Sequence, residues 1–306
     1  MTHIYKRIFG MVLICAVAVA TGLSIGKIYL DMNAAPEGRT ETEAELRATE
    51  AEVLELYNRS TGKSVTEFNA VEIWQIAEYK LSLQDKFKKE MTGRVVSAGV
   101  PVEMHSIKIK NGNVLTYDKL SPSKNVLGIT TPNICSRITY NYNSPNQIYI
   151  NKDGVFADPN ASSEGLTATF SGKGDLYTKD QYYETFRTTP SSSVMPYIIS
   201  DKTCDENSVS TVTDNGDGTY TFEINLSGEN LEKAALYYSY EVLFSSGYSL
   251  PEWSNAKMTV TVDFNFLFQK IIYDENYTVY NAPVIGKAGV TDSFVDHFTY
   301  GDGVVA

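Results

Sequence analysis

From residue 93 onward, apolar and polar positions of this chain alternate with period two; before it they recur with helical spacing. The helical stretch comes in two pieces. From Thr40 to Tyr57 the chain is acidic, with Leu46, Val53, Leu54 and Tyr57 on a narrow apolar stripe. Thr40 with Glu43, or Thr42 with Glu45, provides a capping box. A stronger helix is predicted from about Val65 to Met91: Ala70, Ile73, Trp74, Ala77 and Leu81 share one stripe, and Ile76, Leu83 and Phe87 lie beside it. That apolar face covers about half the circumference, more than a surface helix needs, so a sheet should embrace it. Lys86, Lys88 and Lys89 suit the last turn of such a helix, and Gly93 should end it.

Beyond Gly93 the alternation predicts strands at His105–Lys110 and Val114–Asp118 around the turn Asn111-Gly112-Asn113. Further strands are predicted at Ser136–Tyr142, Gln147–Asn151, Leu166–Ser171, Tyr197–Lys202, Ser208–Thr213 and Thr219–Leu226. Lys257–Asp263, Gln269–Tyr280 and Ser293–Tyr300 follow as closing strands, with a hairpin at Asp263-Phe264-Asn265-Phe266. Thr178–Arg187 reads as a short helix. Gly228–Ser245 reads as a clear one, with Leu231, Ala234, Tyr238 and Val242 facing inward. The expected fold is α+β: a curved, mainly antiparallel sheet of about 245 residues, 62–306, in one domain with amphipathic helices against it.

The N-terminus carries an address. Lys6 and Arg7 precede an uncharged apolar run of 19 residues, Ile8–Gly26. As a helix it would be roughly 28 Å long, close to the ~30 Å of a bilayer core. Basic flanks stay in the cytoplasm, so residues 1–7 should be cytoplasmic and 8–30 a transmembrane signal-anchor. Residues 31–61 would form a tether and acidic stalk, with 62–306 outside the cytoplasm. The alternative is a signal peptide cleaved near Ala20, after Ala18-Val19-Ala20, and a secreted protein. Acidic residues outnumber basic ones 37 to 26. That surface disfavours nucleic acid as a partner and leaves the membrane, an apolar ligand or an envelope protein.

Candidate chemistry is sparse. Cys135 and Cys204 could pair across an oxidising compartment or stand as independent buried thiols; they match no zinc or redox spacing. Asp214, Asn215 and Asp217 resemble a calcium loop, but the twelfth position is Asn225 rather than glutamate, so a polar hairpin turn is expected. His105 and His297 each sit alone in a strand. Glu103, Asp118, Asp263 and Glu275 could serve as acid and base, yet no spacing singles them out. There is no nucleophile elbow, phosphate loop or dinucleotide loop. The expectation is a non-enzymatic protein without cofactor or metal. The 21 tyrosines, 13 phenylalanines and 2 tryptophans lean towards binding, because tyrosine suits a half-wet groove.

The order of elements — anchor, long amphipathic helix, antiparallel strands, short helix, strands, second helix, closing strands — resembles the half-barrel fold of the lipoprotein-localisation carriers over roughly Val65–Tyr300. The run from Lys257 to Tyr280, with its turn Asp263-Phe264-Asn265 and its end Glu275-Asn276-Tyr277, also looks like an element of uncharacterised Gram-positive membrane-anchored proteins. The resemblance implies a strongly curved sheet wrapping the helices around an apolar cavity for lipid or acyl chains. Residues expected to face it are Trp74 and Tyr238 from the helices and Tyr140 and Tyr142 from the sheet. The expected function is a membrane-tethered extracytoplasmic binding module for an apolar or amphipathic ligand. The alternative is a structural or protein-interaction component of the cell envelope.

Overall fold

The computed structural model describes residues 38–126, 128–191, 195–282 and 285–304. The span 8–30, the cleavage pattern at Ala18–Ala20 and most of the tether lie outside the described residues. Among the described residues, no helix is long and apolar enough to cross a membrane.

Eleven strands form one sheet. They are β1 (Lys86–Ser97), β2 (Val100–Asn111), β3 (Val114–Ser121), β4 (Ile134–Asn141), β5 (Ile148–Asn151) and β6 (Asp175–Tyr177), then β7 (Thr213–Asp214), β8 (Thr219–Ser227), β9 (Glu252–Asp263), β10 (Phe268–Ala282) and β11 (Gly286–Tyr300). Their spatial order is β6-β5-β4-β3-β2-β1-β11-β10-β9-β8-β7, and neighbours run antiparallel. Two meanders are thus sewn together along one seam, β1 against β11, in register from Phe87↔Tyr300 to Ser97↔Val290. Every other neighbouring pair is consecutive among these strands.

Six helices accompany the sheet among the described residues: α1 (Glu43–Leu46), α2 (Glu50–Ser60), α3 (Ala70–Leu83), α4 (Lys179–Phe186), α5 (Gly228–Ala234) and α6 (Leu236–Ser246). The acidic segment divides into α1 and α2 because two capping boxes form, Thr42 with Glu45 and Thr49 with Glu52. Leu46 turns inward against Ile198, Leu236 and Tyr237, and Arg47 pairs with Glu43 and Glu78.

The long helix expected to Met91 stops at Leu83, and Lys86–Met91 belongs to β1. Phe87, Lys89 and Met91 are buried while their neighbours are less so. Period two wins here because β2 and β11 supply backbone partners on both sides. Trp74 is fully buried in the main core, its ring edge-on to Phe268 at 5.2 Å. That core lies between α3, α5 and the inner face of β8–β11.

Three expected strands shrink or vanish. Leu166–Ser171 keeps only Ala168–Thr169, paired with Val155–Phe156 on a separate ribbon. Ser208–Thr213 retains one bridge, Val209↔Ile224, before β7. Tyr197–Lys202 is irregular: Tyr197 and Ile199 enter the main core and Ile198 the cluster with Leu46. Its alternation reflects burial on two sides of a loop. The turns at Gly112, Asp214–Gly218 and Asp263–Phe266 close hairpins as expected, the last held by Asp263 accepting from the amides of Asn265 and Leu267.

Candidate functional site

Inward positions of adjacent strands place charged groups side by side on the face that α6 covers. Lys89 of β1 lies opposite Lys108 of β2, which lies opposite Tyr117 of β3. One pleat further along, Asp296 of β11 is followed by Met91, Ser106 and Lys119. Two pleats beyond, Glu275 of β10 faces Asp292 of β11. All these charged side chains are buried.

Most have partners. Lys89 Nζ sits 3.0 Å from Asp296 Oδ2, which also accepts from Tyr273 at 3.0 Å. Lys119 Nζ donates to Glu241 Oε1 on α6 at 3.4 Å and to Ser245 Oγ at 3.3 Å. Glu241 accepts from Tyr117 at 3.0 Å. Burial works against the ionised Glu241, but Lys119 and Lys108 hold its carboxyl below the usual range. Burial, with Lys89 next to it, pushes Lys108 down to about 7.

Glu275 and Asp292 differ. Tyr238 donates to Glu275 Oε2 at 3.1 Å and Tyr277 to Asp292 Oδ2 at 2.9 Å. No lysine or arginine is ion-paired to either among the described residues. Burial raises both carboxyls well above their ordinary range; Asp292 raises Glu275 further, while Tyr277 and Lys119 draw Asp292 partly back. Asp292 Oδ1 is buried and has no hydrogen-bond donor among the described residues.

Beside this pair lies a half-open cavity of about 90 Å³ between α6 and the sheet. Its walls are Val95, Val102, Met104, Val242, Val279, Val290 and Phe294, with Lys119 and Asp292 as the charged members. The less buried lining residues, Ser97, Pro132, Ser246 and Tyr248, mark its mouth. A second cavity, of about 60 Å³, lies under α4 and α6 next to Lys89, Lys108 and Tyr117.

Of the four residues expected to face a ligand, Tyr238 lines the cavity between α6 and the sheet, its ring held by Trp253 at 5.4 Å and Tyr197 at 5.6 Å. Trp74 lies in the main core, away from the lining. Tyr140 and Tyr142 touch each other at 4.8 Å in a separate cluster with Leu115, Ile148 and Ile150. The two thiols are free: Cys135 packs with Leu120 and Leu166, and Cys204 lies in the main core.

The acid–base candidates separate as well. Asp118 holds Arg137 through two bonds of 2.6 and 2.7 Å, Glu103 meets Arg94, and Asp263 ties its own turn. Only Glu275 enters the buried pair. Sequence reading missed Asp292 and Lys119. The available signal was in β11, where Ala288, Val290, Asp292, Phe294, Asp296 and Phe298 share a face that is otherwise apolar. His105 is structural: Nδ1 lies 2.9 Å from the Leu166 carbonyl and Nε2 3.0 Å from Glu90. No group of three or more potential metal ligands occurs among the described residues.

No protein-family model matches the chain, and no curated protein matches it. Among solved structures, it is similar to a domain described as outer membrane lipoprotein-sorting from Vibrio parahaemolyticus. Identity is 11% over 78% of this chain and 95% of that one, with a TM-score of 0.21. It is also similar to a DUF1329 family protein from Desulfovibrio piger, at 9% identity over 83% of this chain and 95% of that one, TM-score 0.22. At these scores the likeness carries no argument about fold or function.

Proposed function

We propose that this chain is a non-enzymatic binding module for an apolar or amphipathic, lipid-like ligand. The span 8–30 tethers it to the membrane, and its domain lies in the extracytoplasmic envelope. The reading rests on one observation: the half-open cavity between α6 and the sheet, walled by aliphatic side chains from β1, β2, β10, β11 and α6. Strands from both meanders contribute to one cavity, which suits a sheet curved around its helix as a half-barrel. An apolar cavity of about 150 Å³ accommodates benzene. One of about 90 Å³ takes a narrower group, such as the end of an alkyl chain, with the remainder leaving past Pro132 and Tyr248.

Native mass spectrometry and lipid extraction of the full chain, purified from membranes in a mild detergent, test this. Co-purifying apolar ligand should be present, and Val242→Phe, which fills the cavity, should lose it while staying folded. Retention of the same ligand by Val242→Phe, or its absence from the native chain, would favour a structural role in the envelope.

A further inference from the structure

We infer that the cavity under α6 selects ligands whose polar end is a primary ammonium group, received by Asp292 with the carboxyl of Glu275 behind it. This rests on the cavity being a ligand site, and it goes further by assigning the chemistry of the ligand's head. Three observations point the same way. First, Asp292 lines the cavity, is 2% exposed, and leaves Oδ1 without a donor among the described residues. A buried acceptor left unmatched is costly, the more so when charged, and an incoming N–H supplies the partner that Oδ1 lacks. Second, the cation at the cavity is already engaged: Lys119 Nζ serves Glu241 and Ser245. A ligand carboxylate or phosphate would have to compete with Glu241 for it, whereas an ammonium has an open acceptor at Asp292 Oδ1 and displaces the proton held by the carboxyl pair, against the repulsion of Lys119. Third, Glu275 stands across the strand pair from Asp292 and outside the cavity lining, so a second carboxyl backs the first with no ion-paired cation between them.

The groups facing the pair are Tyr273 and Tyr277 of β10, Asp296 of β11, Lys119 of β3, Tyr238 of α6 and Tyr197 of the loop before α5. Tyrosines supply neutral donors, and only Lys119 supplies positive charge. Burial therefore keeps the pair partly protonated near neutrality, and a bound ammonium would take the place of that proton. Amine binding should release protons and strengthen as pH rises, until the amine itself deprotonates near pH 10.

The test compares n-pentylamine, 1-pentanol and pentanoate on the full chain in phosphatidylcholine nanodiscs, with empty nanodiscs as the blank. Binding is read by saturation-transfer NMR and by thermal melting. At pH 7.5 pentylamine should bind about tenfold more tightly than the other two, and its advantage should shrink at pH 5.5. Asp292→Asn should abolish that preference while retaining pentanol, and Glu275→Gln should weaken it. Equal binding of amine and alcohol at both pH values, or an undiminished preference in Asp292→Asn, overturns the inference and leaves the cavity reading standing. Binding of none of the three overturns both. A free amine and an aminophospholipid headgroup offer the same chemistry. Replacing phosphatidylcholine by phosphatidylethanolamine distinguishes them: competition with pentylamine assigns the site to the headgroup, and undisturbed pentylamine binding assigns it to a free amine.

Discussion

Replacing Asp292 by Asn should stabilise the domain at pH 8 and do so much less at pH 5. The carboxyl has its folded pKa pushed up to about 7 by burial. An unfolded chain returns it to about 3.9. Between those values the folded state holds more protons than the unfolded one, so stability falls as pH rises through the window and stops falling above it. The full span corresponds to about 4 kcal/mol at ~1.4 kcal/mol per pH unit, an upper bound because Glu275 shares the protonation. Asn keeps the shape and can still accept from Tyr277 while carrying no charge. The gain at pH 8 should therefore be about 2–4 kcal/mol, against about 1–1.5 kcal/mol at pH 5.

Lys108 titrates in the opposite sense. Its folded pKa lies near 7 against an unfolded value of about 10.4, so its contribution makes stability rise from pH 7 to 10. The combined cost of these two groups should thus be greatest around pH 7–8. Subtracting the native urea-denaturation curve from that of the variant at each pH isolates Asp292. An equal destabilisation of Asp292→Asn at pH 5 and pH 8 would refute the reasoning, since it would mean that the carboxylate is favourably paired in the folded state.

Three further outcomes are expected. Trp74→Ala should cost about 3–5 kcal/mol in urea denaturation and leave pentanol binding intact in the folded fraction, because the indole lies in the filled core away from the cavity; a loss under about 1 kcal/mol would place it elsewhere. Gly93→Ala should cost about 1–3 kcal/mol, because a Cβ there would stand 2.2 Å from the Ser293 carbonyl and 2.6 Å from the Phe294 ring across the seam; unchanged stability would show that β1 and β11 can shift apart. Lys89→Ala should cost about 3–5 kcal/mol by leaving Asp296 buried without its cation; the double variant Lys89→Met with Asp296→Asn should regain most of it, and failure to do so would show that the pair contributes net stability.

Much of the fold is legible in the sequence where periodicity and turn chemistry agree. Asn111-Gly112-Asn113, Asp214–Gly218 and Asp263–Phe266 all close hairpins, and the stripe around Trp74 is a core-facing helix. Legibility fails where tertiary partners decide. Phe87 and Met91 fit a helical stripe beside Leu83 as well as a strand face, and only β2 and β11 settle which. Tyr197–Ile199 alternates like a strand, yet the Ile198 amide bonds to the Ala234 carbonyl of α5 rather than to a strand. The site was less legible than the fold. Asp292 and Glu275 are 17 residues apart in sequence and meet only through the β10–β11 register, while Lys119 reaches them across β2, β1 and the seam. Aromatic richness pointed at four residues, of which the cavity takes only Tyr238.

The buried charges on the inner face separate a structural account from a functional one. A buried ion pair adds little to stability, because desolvation offsets most of its attraction, and apolar residues of equal volume often serve as well or better. Lys89–Asp296 and Lys119–Glu241 at least balance each other's charge, although Asp296 Oδ1, like Asp292 Oδ1, has no donor among the described residues, and such pairs can be kept for the register they impose on the sheet. That account does not extend to Asp292. Its only bond, from Tyr277, lies within the same two strands, which are already in register over more than ten residues each. Valine at this position would match Val290 on the same face and remove an unsatisfied oxygen, at the cost of leaving the buried Tyr277 hydroxyl without its acceptor. Asp292 thus borders the cavity as a buried carboxylate with no ion-paired cation among the described residues, and a donor arriving from outside the chain is the partner its Oδ1 lacks.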